Sequence, residues 1–140
     1  MTCSYEFDSE LDILEIAFSG LVSSTCVLKS IDAVDTNPHD PGGRNEIRDC
    51  SAIEELQLDA RRLDNLAQLL RGTYLRAGHR KRVAFLATSG PGLEFSKVMR
   101  DALDSLTAIR AEIFSDRDAA LAFLSDNDRG GEPLRARQTG

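Results

Sequence analysis

The stretch that decides the fold is RNEIRDCSAIEELQLDARRLDNLAQLLRGTYLRAG, residues 44–78. Its pattern predicts a polar strand over residues 44–49, a turn over residues 50–58 and one long helix over residues 59–77. Apolar helix residues recur at the spacing that places them on one side of a 3.6-residue helix. Asp59 can cap the first turn, and Gly78 can end the helix in a left-handed conformation. The predicted buried residues are Leu63, Leu66, Ala67, Leu70 and Tyr74.

The residues before this unit predict two strands and a helix. Residues 4–8 and 13–19 each alternate apolar with polar side chains, and the short connection between them predicts an antiparallel hairpin. Gly20 is expected to end the second strand. A helix follows from Ser23 or Ser24 to residue 34 or 35. Its predicted apolar side consists of Val27, Leu28, Ile31 and Val34.

The residues after the unit alternate strand and helix. Residues 83–87 are apolar on both faces, which is typical of a central strand of a covered sheet. A helix with Pro91 in its first turn, a strand over residues 111–114 and a helix capped by Asp116 complete the order β-β-α-β-α-β-α-β-α. This order predicts an α/β fold with a mostly parallel sheet, right-handed crossovers, an antiparallel first strand and about four helices. Strand order is not readable.

Composition limits the domain count and the class of partner. A chain of 140 residues fits one domain, predicted over residues 1–125, and residues 126–140 are predicted to form a mobile polar tail. The formal charge of −6 disfavours nucleic acid as the main partner. No apolar run is long enough to span a membrane, and no secretory signal is expected. The odd set Cys3, Cys26 and Cys50 indicates reduced thiols, hence a cytoplasmic protein.

Several local stretches carry a resemblance to a known family. They are residues 5–8 (YEFD), 14–20 (LEIAFSG), 48–53 (RDCSAI), 83–87 (VAFLA) and 114–124 (FSDRDAALAFL). Over residues 4–125 the chain resembles the STAS domain of bacterial anti-sigma-factor antagonists, which is SpoIIAA-like. It also resembles the STAS/SEC14-like branch, whose bacterial members are mostly uncharacterised. The resemblance implies a SpoIIAA-like fold and a non-catalytic module that acts through protein–protein contacts.

The resemblance also implies where a partner would bind. In the antagonists a strand-end Asp leads to an Asp-Ser-Ser segment, in which a partner kinase phosphorylates a serine. If Asp49 is the strand-end residue, the phosphorylated position falls on Leu58, which has no hydroxyl, so the phosphorylation switch is not expected. Asp59 is either a helix N-cap or a fixed negative charge near that position. The predicted surface for a regulatory partner or a second copy in a homodimer consists of Gln57, Leu58, Asp59, Arg61 and Arg62.

An alternative site lies in the predicted turn that follows the central strand. The backbone N–H groups of Thr88, Ser89, Gly90 and Gly92 could bind a small anion, although no Walker or dinucleotide-binding motif is present. The competing interpretation is a plain strand-to-helix turn. SEC14-type relatives bind lipophilic molecules, and apolar residues near this turn either edge a small pocket or belong to the core. These residues are Tyr74, Leu93, Phe95 and Met99.

The remaining polar residues do not indicate catalysis or a cofactor. A basic cluster follows the long helix and is interpreted as a solvated loop that offsets the helix dipole, rather than as a phosphate or acidic-partner site. His39 and His79 have no metal-ligand spacing, and no base accompanies the thiol of Cys50 or the hydroxyl of Ser51. Glu54 and Glu55 are expected in a solvated turn. The basic cluster consists of Arg76, His79, Arg80, Lys81 and Arg82.

Overall fold

The predicted element order is confirmed. The computed structural model describes residues 3–8, 12–36 and 44–125, and describes side chains over residues 12–32 and 44–125. The predicted tail at residues 126–140 and His39 therefore lie outside the described residues. The elements are β1 Cys3–Asp8, β2 Ile13–Ser23, α1 Ser24–Thr36, β3 Asn45–Gln57, α2 Ala60–Ala77, β4 Lys81–Leu86, α3 Gly90–Asp104, β5 Ile109–Phe114 and α4 Arg117–Leu124.

The five strands form one sheet in the order β1-β2-β3-β4-β5. β1 is antiparallel to β2, and the pairs β2–β3, β3–β4 and β4–β5 are parallel. Each crossover helix thus returns the chain to the neighbouring strand position. The predicted α/β architecture is confirmed, and the strand order is now known.

Two apolar cores cover the two faces of the sheet. The larger core lies between the sheet and the helices α1, α2 and α3, and it contains every residue predicted for the apolar side of α2. The smaller core lies on the opposite face, where Ala120 and Leu124 of α4 pack against β4. β4 is therefore buried on both faces, as predicted. The prediction for Leu28 of α1 is wrong, because this side chain is 44% exposed.

The β2–β3 pair is longer than predicted. β2 does not end at Gly20 but continues to Ser23, and residues 50–57 form strand rather than turn. Gly20 has a φ of 67°, and the register shifts on both sides of it. Each shift adds one residue to β3, so Cys50, Ile53 and Leu56 turn toward the larger core at a spacing of three. This spacing lacks the two-residue period of a regular strand, which is why the sequence pattern indicated a turn.

The predicted ends of α2 are confirmed. The Asp59 side chain accepts a hydrogen bond from the Arg62 N–H at 2.8 Å. The N–H of Gly78, which has a φ of 72°, donates to the Tyr74 carbonyl at 3.1 Å. α2 continues through Gly72 without a break, and the junction from β3 into α2 is a capped helix start that follows a strand paired with β2 up to Gln57.

Gly92 lets α3 approach β3 closely. A Cβ atom at this position would lie 2.2 Å from the Cys50 carbonyl oxygen, a backbone atom that cannot swing aside. The first turn of α3 can therefore sit on β3 only if residue 92 has no side chain. The packing of α3 on β3 thus depends on this glycine.

Replacing Gly92 with alanine is expected to lower the free energy of unfolding by about 1–3 kcal/mol, because backbone must move to accept the new methyl group. The matched control is Gly72→Ala, where the new Cβ would lie 3.4 Å from the flexible end of Arg76. That control is expected to raise stability by up to about 1 kcal/mol through helix propensity. Urea unfolding curves measure both changes, and equal stability of the two variants would contradict this account.

Candidate functional site

The residues predicted to contact a partner lie together where β3 passes into α2. Gln57 is the last paired residue of β3, opposite Ser23. Leu58 is half-buried and packs against the larger core. The Asp59 carboxylate is occupied as the helix cap, while Arg61 and Arg62 are exposed. We call these five residues, Gln57, Leu58, Asp59, Arg61 and Arg62, the β3–α2 junction.

The four residues predicted to bind an anion lie in the β4–α3 turn and in the first turn of α3, and three of them are exposed. Thr88, Ser89 and Gly90 are exposed, and the Ser89 side chain occupies the N-cap position without making a capping hydrogen bond. Gly92 is buried against Cys50. Its role is to allow helix packing, so only Thr88, Ser89 and Gly90 of this set are open to solvent.

The apolar residues considered for a pocket belong to the core. Tyr74, Phe95 and Met99 are all members of the larger core cluster, and Leu93 is partly buried against it. Phe95 also packs against Phe18 with a centroid separation of 5.3 Å. These contacts fill the space that a lipophilic pocket would need.

A groove of about 530 Å³ lies between α2 and α3. Arg71 spans it, because its Nε donates to the Ser105 hydroxyl at 2.7 Å. None of the residues predicted for the β3–α2 junction or the turn lines this groove. Its lining consists of Asp64, Gln68, Arg71, Val98, Asp101, Ala102 and Ser105.

A buried charged cluster between β3, β4 and α2 was missed from the sequence. The Glu46 carboxylate accepts hydrogen bonds from the Tyr74 hydroxyl, from Lys81 Nζ at 2.8 Å and from Arg48 Nε at 3.3 Å. Arg48 also donates from Nη2 to the Tyr74 hydroxyl oxygen at 3.2 Å. Glu46 and Arg48 are 0% and 2% exposed, so charged residues in the sequence of β3 are buried rather than exposed to solvent.

The interpretation of Lys81 and Arg82 as a solvated loop is wrong. Both are buried residues of β4. Lys81 faces α2 and pairs with Glu46, whereas Arg82 faces α4 and its Nη1 donates to the Phe123 carbonyl at 2.8 Å. Alternation along the strand sends these two cations to opposite faces of the sheet. The burial of Lys81 and Arg82 was not predictable from the sequence, because the spacing of basic residues does not distinguish a paired buried cation from a solvated one.

The cluster is held in one ionisation state by its own contacts. Burial alone raises the pKa of Glu46, but Lys81, Arg48 and the hydrogen bond from Tyr74 outweigh it and hold that pKa below its usual value. Burial raises the pKa of the Tyr74 phenol well above its usual value. The carboxylate therefore stays charged and the phenol stays neutral across the physiological range.

The cysteine considered as a nucleophile is buried and protonated. Burial raises the pKa of Cys50 to about 12, and its thiol donates to the Arg48 carbonyl at 3.7 Å. The hydroxyl of the neighbouring Ser51 is exposed and donates to the Asp49 carboxylate at 2.6 Å. A thiol in this state is a poor nucleophile, which favours the packing interpretation.

The other sequence candidates do not converge on a site in the described structure. Glu54 and Glu55 are exposed as expected, but they lie on the β3 strand rather than in a turn. Within residues 12–32 and 44–125, no group of His, Cys, Asp and Glu side chains is arranged to hold a metal ion. None of the described helices is both long and apolar enough to cross a membrane.

Two solved structures have the same fold. One is an uncharacterised protein of the DUF3478 family with a SpoIIAA-like fold from Shewanella loihica PV-4. It is 18% identical, the match covers 87% of this chain and 91% of that one, and the TM-score is 0.54. The other is the anti-sigma factor antagonist SpoIIAA in its unphosphorylated form. It is 10% identical, with 89% and 99% of the chains covered and a TM-score of 0.53. Neither a protein-family profile nor a curated protein sequence matches. The chain therefore has a SpoIIAA-like, or STAS, fold.

Replacing Glu46 with glutamine is expected to cost about 3–5 kcal/mol of unfolding free energy at neutral pH, because it leaves buried cations without their counter-charge. The pKa of Glu46 is lower in the folded chain than its usual value of 4.5. The contribution of the Glu46 carboxylate to the free energy of unfolding is therefore complete above pH 4.5. The contribution is lost as pH falls through the lowered folded-state pKa, and the difference from wild type should shrink accordingly. Urea unfolding across an acid pH series measures this.

Two further variants serve as a control and as a milder test of the same cluster. Glu54→Gln changes an exposed glutamate of the same strand and should alter stability by no more than about 0.5 kcal/mol. Tyr74→Phe removes one donor and should cost about 1–2 kcal/mol, which keeps the test readable if Glu46→Gln does not fold. Equal costs for Glu46→Gln and Glu54→Gln would refute the described role of the cluster.

In a Cys3→Ser background, native protein is expected to react very slowly with a thiol reagent at mildly alkaline pH. Cys26 and Cys50 are both buried, and the raised pKa of Cys50 keeps it in the unreactive thiol form. Both should react rapidly in denaturing urea, which serves as the control. Labelling of Cys50 within seconds in the folded protein would show that the thiol is accessible and activated.

Proposed function

We propose that this chain is a cytoplasmic, non-catalytic binding module that recognises a regulatory protein through the β3–α2 junction. The observation that carries the proposal is the set of exposed or half-buried side chains of different chemistry at that junction. Asp59 is committed to the helix cap, while Gln57, Arg61 and Arg62 are exposed beside the half-buried Leu58. An apolar centre with a polar and arginine-rich surround is typical of protein contact surfaces.

The neighbouring strand also exposes an apolar residue close to the junction, but on the opposite face of the sheet. Leu21 of β2 is 45% exposed and lies opposite Glu55 in the β2–β3 pair, close to the junction. Because Val22 on the same strand is fully buried, Leu21 is directed to the other face of the sheet. A partner would therefore have to cover both faces of the sheet at the end of the β2–β3 pair to bury Leu21 together with the β3–α2 junction.

The fold supports a protein as the partner. SpoIIAA, one of the two similar solved structures, is described as an antagonist of an anti-sigma factor, so it acts on another protein. We extend that class of partner to this chain. Leu58 has no hydroxyl, so binding here would not be switched by phosphorylation of that position.

A small anion at the exposed part of the β4–α3 turn is the second candidate. It is favoured by one observation, the Ser89 side chain that makes no capping bond and leaves first-turn N–H groups of α3 without that acceptor. The groove lies elsewhere, between α2 and α3. A retained small molecule in native mass spectra of protein purified from its own host would favour this candidate.

The partner proposal is tested by comparing two double variants that remove the same charge. Arg61→Ala/Arg62→Ala alters the junction, and Arg76→Ala/Arg80→Ala alters exposed arginines in the last turn of the helix and in the loop after it. Proteins cross-linked to the wild-type chain in its host are quantified by mass spectrometry. We expect a specific partner to be lost by about tenfold or more in the first variant, equivalent to about 1.4 kcal/mol, and retained in the second. Equal recovery with both variants would exclude the junction as the contact surface.

A further inference from the structure

β5 is an edge strand of the sheet. It is last in the sheet order, and its bonds to β4 include Lys81 N–H to the Ala108 carbonyl at 3.1 Å and Ala87 N–H to the Phe114 carbonyl at 3.0 Å. The N–H and C=O of one strand residue point to the same side, so even-numbered residues of β5 face β4. The odd-numbered residues Ile109, Ala111 and Ile113 therefore direct their backbone groups away from the sheet.

The outward groups define what could pair with this edge. The Ile109 N–H is already used, because it donates to the Leu106 carbonyl at 3.2 Å. Within the described part of the chain, the outward N–H groups of Ala111 and Ile113 make no backbone hydrogen bond. A strand that pairs here must bond to these two donors and to the carbonyls of Ile109 and Ala111.

About Ala111, the sequence of β5 is symmetric in its apolar residues and opposite in the sign of its charges. Ile109 and Ile113 flank the pair Arg110 and Glu112, which in turn flank Ala111. The Arg110 and Glu112 side chains are both exposed, and both point to the face that carries α4. Inverting the strand about Ala111 exchanges isoleucine with isoleucine and arginine with glutamate.

We propose that the β5 edge binds the β5 edge of a second copy of this chain, antiparallel and with a twofold axis at Ala111. Ala111 of each copy then bonds reciprocally to Ala111 of the other, and the Ile113 N–H of each copy bonds to the Ile109 carbonyl of the other. The two sheets become one continuous sheet. This pairing uses every outward N–H of β5 that the monomer leaves without a backbone partner among its described residues.

Charge complementarity selects this partner and this register. In the antiparallel pair Arg110 of one copy stands directly opposite Glu112 of the other, on the same face and at a non-hydrogen-bonded position, where side chains are closest. Edge strands that avoid association carry charges that repel a second copy. Here opposite charges two residues apart become attractive on self-pairing. A one-residue slip would send facing side chains to different faces and lose the match.

The dimer is expected to be concentration-dependent. Ala111 is only 2% exposed in the single chain, so its backbone must become accessible before a second strand can pair. Arg110 lies 5.7 Å from the Phe123 ring and can keep that contact while it reaches Glu112 of the other copy, since all three are on the α4 face. This surface is separate from the β3–α2 junction, so dimerisation and partner binding can fail independently.

The test is sedimentation velocity over a concentration series, using charge reversals. Arg110→Glu alone and Glu112→Arg alone each place like charges opposite one another, and each should weaken the dimer at least about tenfold. An equimolar mixture of the two single variants should restore association as a heterodimer. The double variant Arg110→Glu/Glu112→Arg should restore the homodimer. Ala111→Pro should abolish it by removing an outward N–H that the folded monomer does not need.

Each variant is compared with its own melting curve, so a loss of folding is distinguished from a loss of pairing. A wild-type chain that stays monomeric at several hundred micromolar overturns the proposal. A dimer that is insensitive to the single charge reversals overturns it as well, because association would then use another surface. Restoration by the mixture and by the double variant is the outcome that supports it.

Discussion

The hydrogen-bonded Glu46 carboxylate is the interaction on which the arrangement of the sheet and its central helix depends. Its donors come from three elements, Arg48 on β3, Tyr74 on α2 and Lys81 on β4. A buried ion pair adds little net stability compared with an apolar core, but it is costly to break. The cluster is therefore best understood as a constraint on position, which sets where α2 lies over β3 and β4.

The residue before Glu46 makes the equivalent connection on the other face. Asn45 donates from Nδ2 to the Leu124 carbonyl of α4 at 2.9 Å and accepts the Arg82 N–H at 2.8 Å. Two consecutive residues at the start of β3 thus anchor both helical layers to β4. The same strand continues through its pairing with β2 to Gln57, so the β3–α2 junction lies on the strand that carries both of these anchoring residues.

The sequence predicted those features that depend on local residues, and it did not predict those that depend on partners distant in the chain or on inserted strand residues. The amphipathic pattern of α2 and its caps at Asp59 and Gly78 were predictable, because helix period and terminal hydrogen bonding are local properties. The second half of β3 was not, because inserted residues moved its buried positions to a spacing of three. The buried state of Glu46, Arg48 and Lys81 was also unpredictable, since their partners come from three separate elements. The positions of the β3–α2 junction were predictable by resemblance, yet no local pattern says what binds there.

Leu58 is the apolar residue of the β3–α2 junction, and its packing against the larger core holds the junction in place. The resemblance places the phosphorylated serine of the antagonists at Leu58 only if Asp49 ends its strand, but Asp49 lies inside β3, which continues to Gln57. The Leu58 side chain packs against the larger core and is half-buried. A hydroxyl would give up that apolar contact, and a phosphate placed there would have to be solvated away from the core. Leucine at this position thus holds the end of the strand against the start of the helix. A partner that binds the junction, as proposed, would meet a surface of fixed shape.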